Sequence, residues 1–418
     1  MDLILDILKT TILSFPLVSL LLSLACMPLI VKKFWEKHEV KILIILPLFS
    51  IILSFILIEN PLTIFRHAII NDYMPFIITL FVLYILSNGI KVNVICAPTT
   101  FANIIFLVIC SISSSFIGTT GASMVFLKPF LKMNRHRKQK AHLVIFFIFL
   151  VANIGGLLSP LGDPPLFLGY LHGIDFGWEL KNLIPHWGVY MGFCLTALYV
   201  IDRIILKNEE NELFNKKEKF SIEVSGWLNV ILLLIAIAVL SIDLGMPTVL
   251  SNFCIIAICS VSYYFEKRQG EGIEFAPFKE VSETFLAIFI AMAPVLSILV
   301  DNSSEIREYL SGISNGYFWL CSIFSSILDN APSYLLFFNM AGGNGAELMN
   351  TYPNILKAIS ISSVVMGSIT YIGNAPNMLV RSIAQKNHIE MPSFAGYMLW
   401  SCAIILPISL FIVTFMLK

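Results

Sequence analysis

Apolar runs of about 18 residues or more recur along the whole chain and are separated by short polar segments. A helix of this length is enough to cross a hydrocarbon core of roughly 30 Å. A backbone in lipid must satisfy its own hydrogen bonds, which helices do and irregular loops do not. We therefore expect an all-α polytopic membrane protein. With 57% hydrophobic and 13% charged residues among 418, the composition is typical of that class.

The apolar runs divide into two series of six on either side of one polar segment, KNEENELFNKKEKF at 207–220. This segment predicts a linker at 207–224 between a first half, 1–206, and a second half, 225–418. The predicted elements are 11–31, 40–58, 73–90, 98–132, 141–172 and 185–207, followed by 225–244, 247–265, 282–300, 312–340, 355–384 and 394–417.

Two motifs of the first half return in the second half about 210 residues later. SSSFIGTTGAS at 113–123 corresponds to FSSILDNAPS at 324–333, and GGLLSPLGDPPLFL at 155–168 corresponds to MGSITYIGNAPNML at 366–379. Self-similarity at a fixed spacing is the sequence sign of a repeated structural unit. We interpret the chain as a tandem duplication.

Two elements of each half do not fit a simple span. The run 141–172 would be about 48 Å long as one helix, so we expect a break at Pro160, Gly162, Pro164 and Pro165, where proline removes a backbone donor. Its copy at 355–384 would break at Gly373 and Pro376. In the run 98–132 the polar GTTG lies in the middle, which predicts a re-entrant hairpin, and 312–340 is its copy.

The distribution of Lys and Arg predicts the orientation. If both hairpins return to the side from which they entered, most of the 27 Lys and Arg lie in loops on one face. By the positive-inside rule this face is cytoplasmic. The N-terminus is then outside, the linker is cytoplasmic and the two halves are inverted. We expect about 10–11 transmembrane helices in a bacterial-type inner (plasma) membrane. The net charge of zero gives no reason to expect a nucleic-acid partner.

Inverted repeats with discontinuous helices that meet near the midplane are the architecture of secondary transporters. Irregular backbone at that depth is tolerated where it lines a polar cavity, so the two hairpin tips and the two breaks form the predicted ion or substrate site. The candidates are Ser115, Gly118, Thr119 and Thr120 at the first tip; Ser159, Gly162 and Asp163 at the first break; Ser326, Asp329, Asn330 and Ser333 at the second tip; and Thr370, Gly373, Asn374 and Asn377 at the second break.

These side chains carry hard oxygen ligands, which suit Na⁺ or a proton better than a soft metal. We expect no cofactor apart from the coupling ions, Na⁺ or H⁺ or both. The Na⁺ ligand candidates are Asp163, Asp329, Asn330 and Asn374.

Asp163 and Asp329 are the two carboxylates deep in the predicted spans. Placing a charge there costs roughly 2.5 to 3.5 kcal/mol, so each is a functional candidate. If each tip packs against the break of its own half, each of two sites receives one acid. Asp163 aligns with Asn374, and Asp329 aligns with Gly118 or Thr119. A simpler reading stays open, in which each aspartate only caps the half-helix that follows it.

Four motifs in order carry a family resemblance: SFIGTTGAS, FFIFLVANIGGLLSPLGDPPLFLGYLHG, SSILDNAPSYL and GNAPNMLVRSIA. From about residue 60 to 400 the chain resembles the citrate transport or sodium/proton antiporter family of the ion-transporter superfamily, which also contains arsenite permeases and dicarboxylate carriers. The resemblance implies a scaffold and a transport domain, two hairpins, a homodimer in the lipid bilayer and elevator-like movement.

The resemblance also implies a Ser-Asn-Thr signature at each hairpin tip. Here the tips read Gly118-Thr119-Thr120 and Asp329-Asn330-Ala331, so Asn330 alone is retained from the signature's amide pair, which disfavours dicarboxylate binding. The Leu328-Asp329-Asn330 step is closer to the antiporter members.

We therefore expect a transporter and not an enzyme, with Na⁺/H⁺ antiport as the leading hypothesis. Its alternative is Na⁺- or H⁺-coupled uptake of citrate or a similar carboxylate. Two aspartates would repel an anion unless they are neutralised, and no Arg is predicted deep in the membrane to pair with it. An intramembrane aspartyl protease also needs two buried aspartates, but its Gly-x-Gly-Asp signature has Pro160 in place of the first glycine here.

Overall fold

The computed structural model describes residues 2–207, 221–241, 248–268, 275–313 and 315–417, and this part of the chain is almost entirely helical. The α-helices are α1 (Asp2–Ile30), α2 (Lys32–Leu57), α3 (Pro61–Arg66), α4 (Met74–Asn88), α5 (Thr100–Ile117), α6 (Thr119–Met133), α7 (Ala141–Leu150), α8 (Pro164–Leu171), α9 (Trp178–Lys207), α10 (Trp227–Ser241), α11 (Thr248–Arg268), α12 (Ala276–Asp301), α13 (Ser303–Gly312), α14 (Gly316–Ile327), α15 (Asn330–Met340), α16 (Gly345–Asn350), α17 (Pro353–Met366), α18 (Ala375–Lys386) and α19 (Phe394–Phe415). A π-helical segment, His67–Tyr73, joins α3 to α4.

Eight helical segments in the described residues are long and apolar enough to cross a membrane. The prediction of an all-α polytopic protein is therefore confirmed, and the chain is an integral membrane protein. The number is below the expected 10–11 because several predicted spans consist of shorter helices. Three further apolar segments, Trp227–Ser241, Gly316–Ile327 and Pro353–Ile369, belong to this shorter class.

A two-stranded antiparallel ribbon is the non-helical element that the sequence did not predict. β1 (Lys91–Ile95) follows α4 and pairs with β2 (Ser221–Ser225), with Asn93 opposite Glu223. The ribbon joins the first half to the end of the predicted linker. The rest of the linker sequence, 208–220, lies outside the described residues.

Both predicted hairpins are present as pairs of helices. α5 and α6 meet at Gly118, whose φ of 78° and ψ of 150° favour glycine over a residue with a Cβ atom. α14 and α15 meet at residues 328 and 329, within the predicted LDN step. The return of each hairpin to the membrane face from which it entered stays a prediction.

The two predicted breaks are also present, and they are longer than expected. In the first half α7 ends at Leu150, the short 3-10 helix Ile154–Leu158 follows, and α8 begins at Pro164. In the second half the 3-10 helix Gly367–Ile369 and a bent, non-helical segment at 370–374 separate α17 from α18. The prolines and Gly162 explain where the next helix begins, but the helical hydrogen bonding is already lost near residue 151.

The breaks lie at the centre of the molecule. Residues His142–Leu150 of α7 are all buried, and so are all five residues of the 3-10 helix that follows. That 3-10 helix packs against α5, α9 and α17, while α15 packs against α8 and α17. Helices α1, α2 and α12 pack against one another, α12 also packs against α15, and large apolar side chains are exposed on α2 in particular. These exposed side chains suit contact with lipid tails.

Candidate ion-binding site

Asp163 lies at the centre of the buried region with 1% of its surface exposed. It occupies the position before α8, but its side chain makes no capping hydrogen bond to that helix. Pro165 has no N–H group to donate, and the N–H of Leu166 donates instead to the backbone carbonyl oxygen of Asp163 over 3.1 Å. Both carboxylate oxygens are therefore available to other elements.

Three side chains donate hydrogen bonds to the Asp163 carboxylate, and they come from three different elements. Thr119 Oγ1 at the first tip donates to Oδ1 over 2.6 Å. Asn330 Nδ2 at the second tip donates to Oδ2. Asn374 Nδ2 at the second break is 3.4 Å from Oδ1. Both hairpin tips and both breaks thus meet at one carboxylate.

This arrangement differs from the expectation of two sites with one acid each. Each tip does pack against the break of its own half: Ser159 Oγ at the first break donates to Ser115 O, and Thr370 Oγ1 donates to Ser326 O over 2.6 Å. Asn330 and Asn374 nevertheless both reach across to the first half. The side chain of Asp163 therefore forms the centre of a single shared site.

A chain of buried amides continues from Asp163 into the second break. Asn374 Nδ2 also donates to Asn153 Oδ1 over 3.2 Å, and Asn153 Nδ2 donates to Asn377 Oδ1 over 2.8 Å. Asn377 Nδ2 in turn donates to the carbonyl oxygens of Gly367 and Thr370. These bonds satisfy carbonyls that the broken helix leaves without helical partners and hold the two breaks in fixed register.

The two halves use the same local contacts at a constant spacing of 211 residues, the spacing that relates Asp163 to Asn374. Ser159 and Thr370 correspond, and each also accepts a hydrogen bond over 3.2 Å from the backbone N–H two residues later. Their acceptors Ser115 and Ser326 also correspond. This register pairs Asp329 with Gly118 and Asn330 with Thr119, which decides between the two alignments left open by the sequence.

Glycines allow the chain to approach itself closely at both breaks. A Cβ atom on Gly162 would lie 2.1 Å from the carbonyl oxygen of Gly156, and one on Gly373 would lie 2.6 Å from that of Gly367. Both distances are far below van der Waals contact, and the atom in the way is backbone in each case. The glycines of the breaks are therefore required for the backbone path that places Asp163 and Asn374.

We expect the change Gly162→Ala to distort the first break, because the added methyl group would overlap the backbone of Gly156. Overpacking of this kind costs about 1–3 kcal/mol or more, and transport should fall with stability. Gly188→Ala in α9 is the matched control, since a Cβ atom there meets open space. Thermal unfolding of the purified variants in detergent measures the difference; equal midpoints for the two variants would contradict the role given to Gly162.

The remaining candidates lie near the centre without touching it. Ser115 Oγ donates to Gly155 O over 2.5 Å and Ser333 Oγ to Asp329 O over 3.0 Å, so both hydroxyls stabilise backbone. Ser326 contributes its carbonyl to Thr370, while its own hydroxyl bonds within α14. Thr120 and Asp329 are half-buried. Among the hydrogen bonds of the described residues, neither side chain contacts Asp163.

Sequence reasoning missed Asn153, which links the two breaks. The available signal was an amide inside the apolar run FFIFLVANIGG. It also missed buried acids near the ends of apolar runs: Glu179 is 1% exposed, Asp202 is fully buried and Asp72 is 8% exposed. Asp72 faces His67 and His172 at 3.5 and 3.8 Å, and Asp202 pairs with Arg137 at 2.6 Å. Carboxylates in the described helices are thus not limited to the two that were expected.

The electrostatics of the centre come from helix ends. Helix α6 begins at Thr119 and α15 begins at Asn330. Helices α8 and α18 begin directly after Asp163 and Asn374, so four helix N-termini converge. N-termini carry partial positive charge and favour an anionic group, here the carboxylate of Asp163. The carboxamide oxygen of Asn330 is buried beside it and has no hydrogen-bond donor. The centre therefore contains one buried carboxylate and one buried amide oxygen that accepts no hydrogen bond.

The fold and this centre define a polytopic membrane protein with a polar site built where discontinuous helices meet. The family model described as "Putative citrate transport" matches residues 8–417, so the chain belongs to this family. The suspected family resemblance is thereby confirmed over nearly the whole chain. A comparison with curated proteins finds no match.

Proposed function

We propose that the protein is a secondary active transporter that exchanges Na⁺ for H⁺ at Asp163. The observation that carries this proposal is the position of one buried carboxylate between both hairpin tips and the second break. The membrane fold and the family support transport in general. The choice of ions rests on the chemistry of the site.

A cation at this centre would be held by oxygen atoms alone. Asp163 supplies the charge, Asn330 Oδ1 is an acceptor without a donor, and the Thr119 hydroxyl can turn a lone pair toward the ion. Hard oxygen ligands suit Na⁺. A proton on Asp163 removes the negative charge that holds the ion, so proton and Na⁺ occupy the site alternately, which is the requirement for exchange.

Alternating access follows from the contribution of both halves. Thr119 closes the site from the first hairpin and Asn330 closes it from the second. With the halves inverted, as predicted, the hairpins open to opposite sides of the membrane. Movement of the hairpins and breaks as one transport domain within a homodimer would carry the closed site past the scaffold formed by α1, α2 and α12.

Cation-coupled citrate uptake is the second candidate, and two observations favour it. The family is described by citrate transport, and convergent helix N-termini are suited to anions. Against it, no Lys or Arg of the described residues donates a hydrogen bond to Asp163 or to its three donors. A trivalent anion at this place would need neutralisation by bound cations, because the positive helix N-termini already stabilise the carboxylate of Asp163.

Everted membrane vesicles with an imposed pH gradient test the proposal. Addition of Na⁺ or Li⁺ is expected to collapse the gradient in vesicles that contain the protein, and K⁺ serves as the control ion. Vesicles with Gly188→Ala should behave as the wild type does. A gradient that is unaffected by Na⁺ or Li⁺, together with Na⁺-dependent uptake of labelled citrate, would reject antiport and establish the second candidate.

A further inference from the structure

Glu179 is a buried acid that the proposed exchange at Asp163 does not use. It lies in the first turn of α9 and is 1% exposed, and both of its carboxylate oxygens are without a hydrogen-bond partner. It takes part in none of the ion pairs found among the described residues. A buried carboxylate without partners is strongly disfavoured, whereas the neutral acid is tolerated.

Two further buried hydroxyls accompany it. Those of Tyr334 on α15 and Ser360 on α17 have no hydrogen-bond partner outside this pair, and both side chains are at most 1% exposed. Tyr334 is within electrostatic range of Glu179, and Ser360 lies beside the Tyr334 hydroxyl. Three elements thus contribute a buried carboxyl and two buried hydroxyls to the same region of the interior.

Gly169 of α8 leaves room for the Tyr334 hydroxyl because glycine has no side chain. A Cβ atom on Gly169 would lie 2.3 Å from Tyr334 Oη. α8 begins next to Asp163, and Tyr334 lies one turn along α15 from Asn330, about 6 Å by helical rise. The same two helices therefore border both the Asp163 centre and the Glu179 group.

We propose that Glu179 is a second proton-binding site, which holds a proton while α15 is packed as in this structure and releases it when α15 moves. The carboxylate takes up one proton to become the neutral acid, and it returns that proton to water when Tyr334 withdraws and the group becomes hydrated. The proposed proton site depends only on the burial and surroundings of Glu179. Its coupling to ion exchange rests on the proposed function at Asp163.

The N-terminus of α9 favours the charged form of Glu179, whereas the side chains around it favour a neutral acid. Asp175 in the preceding loop adds negative potential, and Tyr334 on α15 is itself uncharged when buried. α17 contributes the neutral Ser360. His186, two turns along α9, is within electrostatic range of Lys357 of α17, and neither makes an ion pair with Glu179 among the described residues. Lys181, two residues along α9, is exposed, and no Lys or Arg of the described residues forms an ion pair with Glu179.

Infrared difference spectroscopy of the full chain in lipid, between acid and alkaline pH, tests this inference. We expect the carbonyl band of a protonated carboxylic acid, lost in Glu179→Gln and kept in the control Asp175→Asn. Labelling the wild type with ¹³C-glutamate should shift the band, which separates Glu179 from the aspartates even if the variant folds poorly. A band unchanged by both the variant and the label would overturn the proposal.

Proton binding at Glu179 and ion exchange at Asp163 can be tested independently of each other. The glutamate band is measured without transport and should persist in Asp163→Asn. If Asp163→Asn transports normally while the glutamate band is present, the exchange proposal fails and the Glu179 site stands. If Na⁺ exchange is observed and the glutamate band is absent, the Glu179 site fails alone.

Discussion

The variant Asp163→Asn is expected to lose ion exchange entirely, with transport at the level of vesicles that lack the protein. The physical reason is the loss of both properties that exchange requires: an amide carries no charge for a cation and binds no proton near neutral pH. The change also turns an acceptor into a donor. Thr119, Asn330 and Asn374 all donate to this position, so the new NH₂ group would face existing donors.

The stability that the closed site loses in Asp163→Asn follows from the number of hydrogen bonds that are lost. Hydrogen bonds to a charged group contribute about 1.5–3 kcal/mol each. If the new amide keeps its oxygen at the Oδ1 position, where Thr119 and Asn374 donate, the bond from Asn330 is the one that is lost. The variant should still insert, because burying an amide costs less than burying a charge. Everted vesicles with matched protein amounts give the transport rate, and size-exclusion chromatography in detergent checks folding.

Two comparisons sharpen this test. Asp301→Asn, at the exposed end of α12, should transport as the wild type does. Asp329→Asn should retain measurable exchange, because Asp329 is half-buried and makes no hydrogen bond to Asp163 among the described residues. Equal and complete loss in Asp163→Asn and Asp329→Asn would assign both acids to the ion site. Normal exchange in Asp163→Asn would reduce Asp163 to a structural residue.

The sequence predicted the elements of the site because its strongest signals are local. Gly118 within GTTG, the prolines after Asp163 and the LDN step before Ala331-Pro332 each dictate where a helix stops or begins, and the structure places helix ends at all three. The duplication then suggested which residues correspond. These features depend on neighbouring residues and on length, both of which can be read without coordinates.

The connections between the halves could not be read in the same way. Asn330 and Asp163 are separated by 167 residues, and Asn153 and Asn377 by 224. Pairing each tip with its own break is a choice that local symmetry favours, yet the amides of the second half turn toward the one acid of the first. Which of two related positions receives those donors depends on the packing of the whole molecule.

Glu179 and Asp202 escaped notice for a related reason. Each lies toward an end of an apolar run, where an acid is usually placed in the polar interface. In the structure α9 extends to Trp178 at one end and Lys207 at the other, longer than the predicted 185–207. One face of each end of α9 is covered by the rest of the protein, so Glu179 and Asp202 are buried while Lys181 and Lys207 are exposed.

A second large effect is expected at the other end of α9, in the variant Asp202→Asn. Arg137 Nη2 and His142 Nε2 lie 2.6 and 2.9 Å from Asp202 Oδ1, and the Arg137 and Asp202 side chains are fully buried. Removing the carboxylate breaks this buried ion pair, which costs about 3–5 kcal/mol. The thermal unfolding midpoint in detergent should fall markedly, and much less folded protein should be recovered from membranes.

An exposed ion pair provides the matched control for Asp202→Asn. Lys32 and Glu36 are 3.8 Å apart with most of their side-chain surface in contact with solvent, so Glu36→Gln should cost at most about 1 kcal/mol. The double variant Arg137→Met with Asp202→Leu should recover much of the stability lost in Asp202→Asn, because it removes both charges rather than one. An Asp202→Asn protein as stable as Glu36→Gln would show that this pair does not hold the loop after α6 against α9.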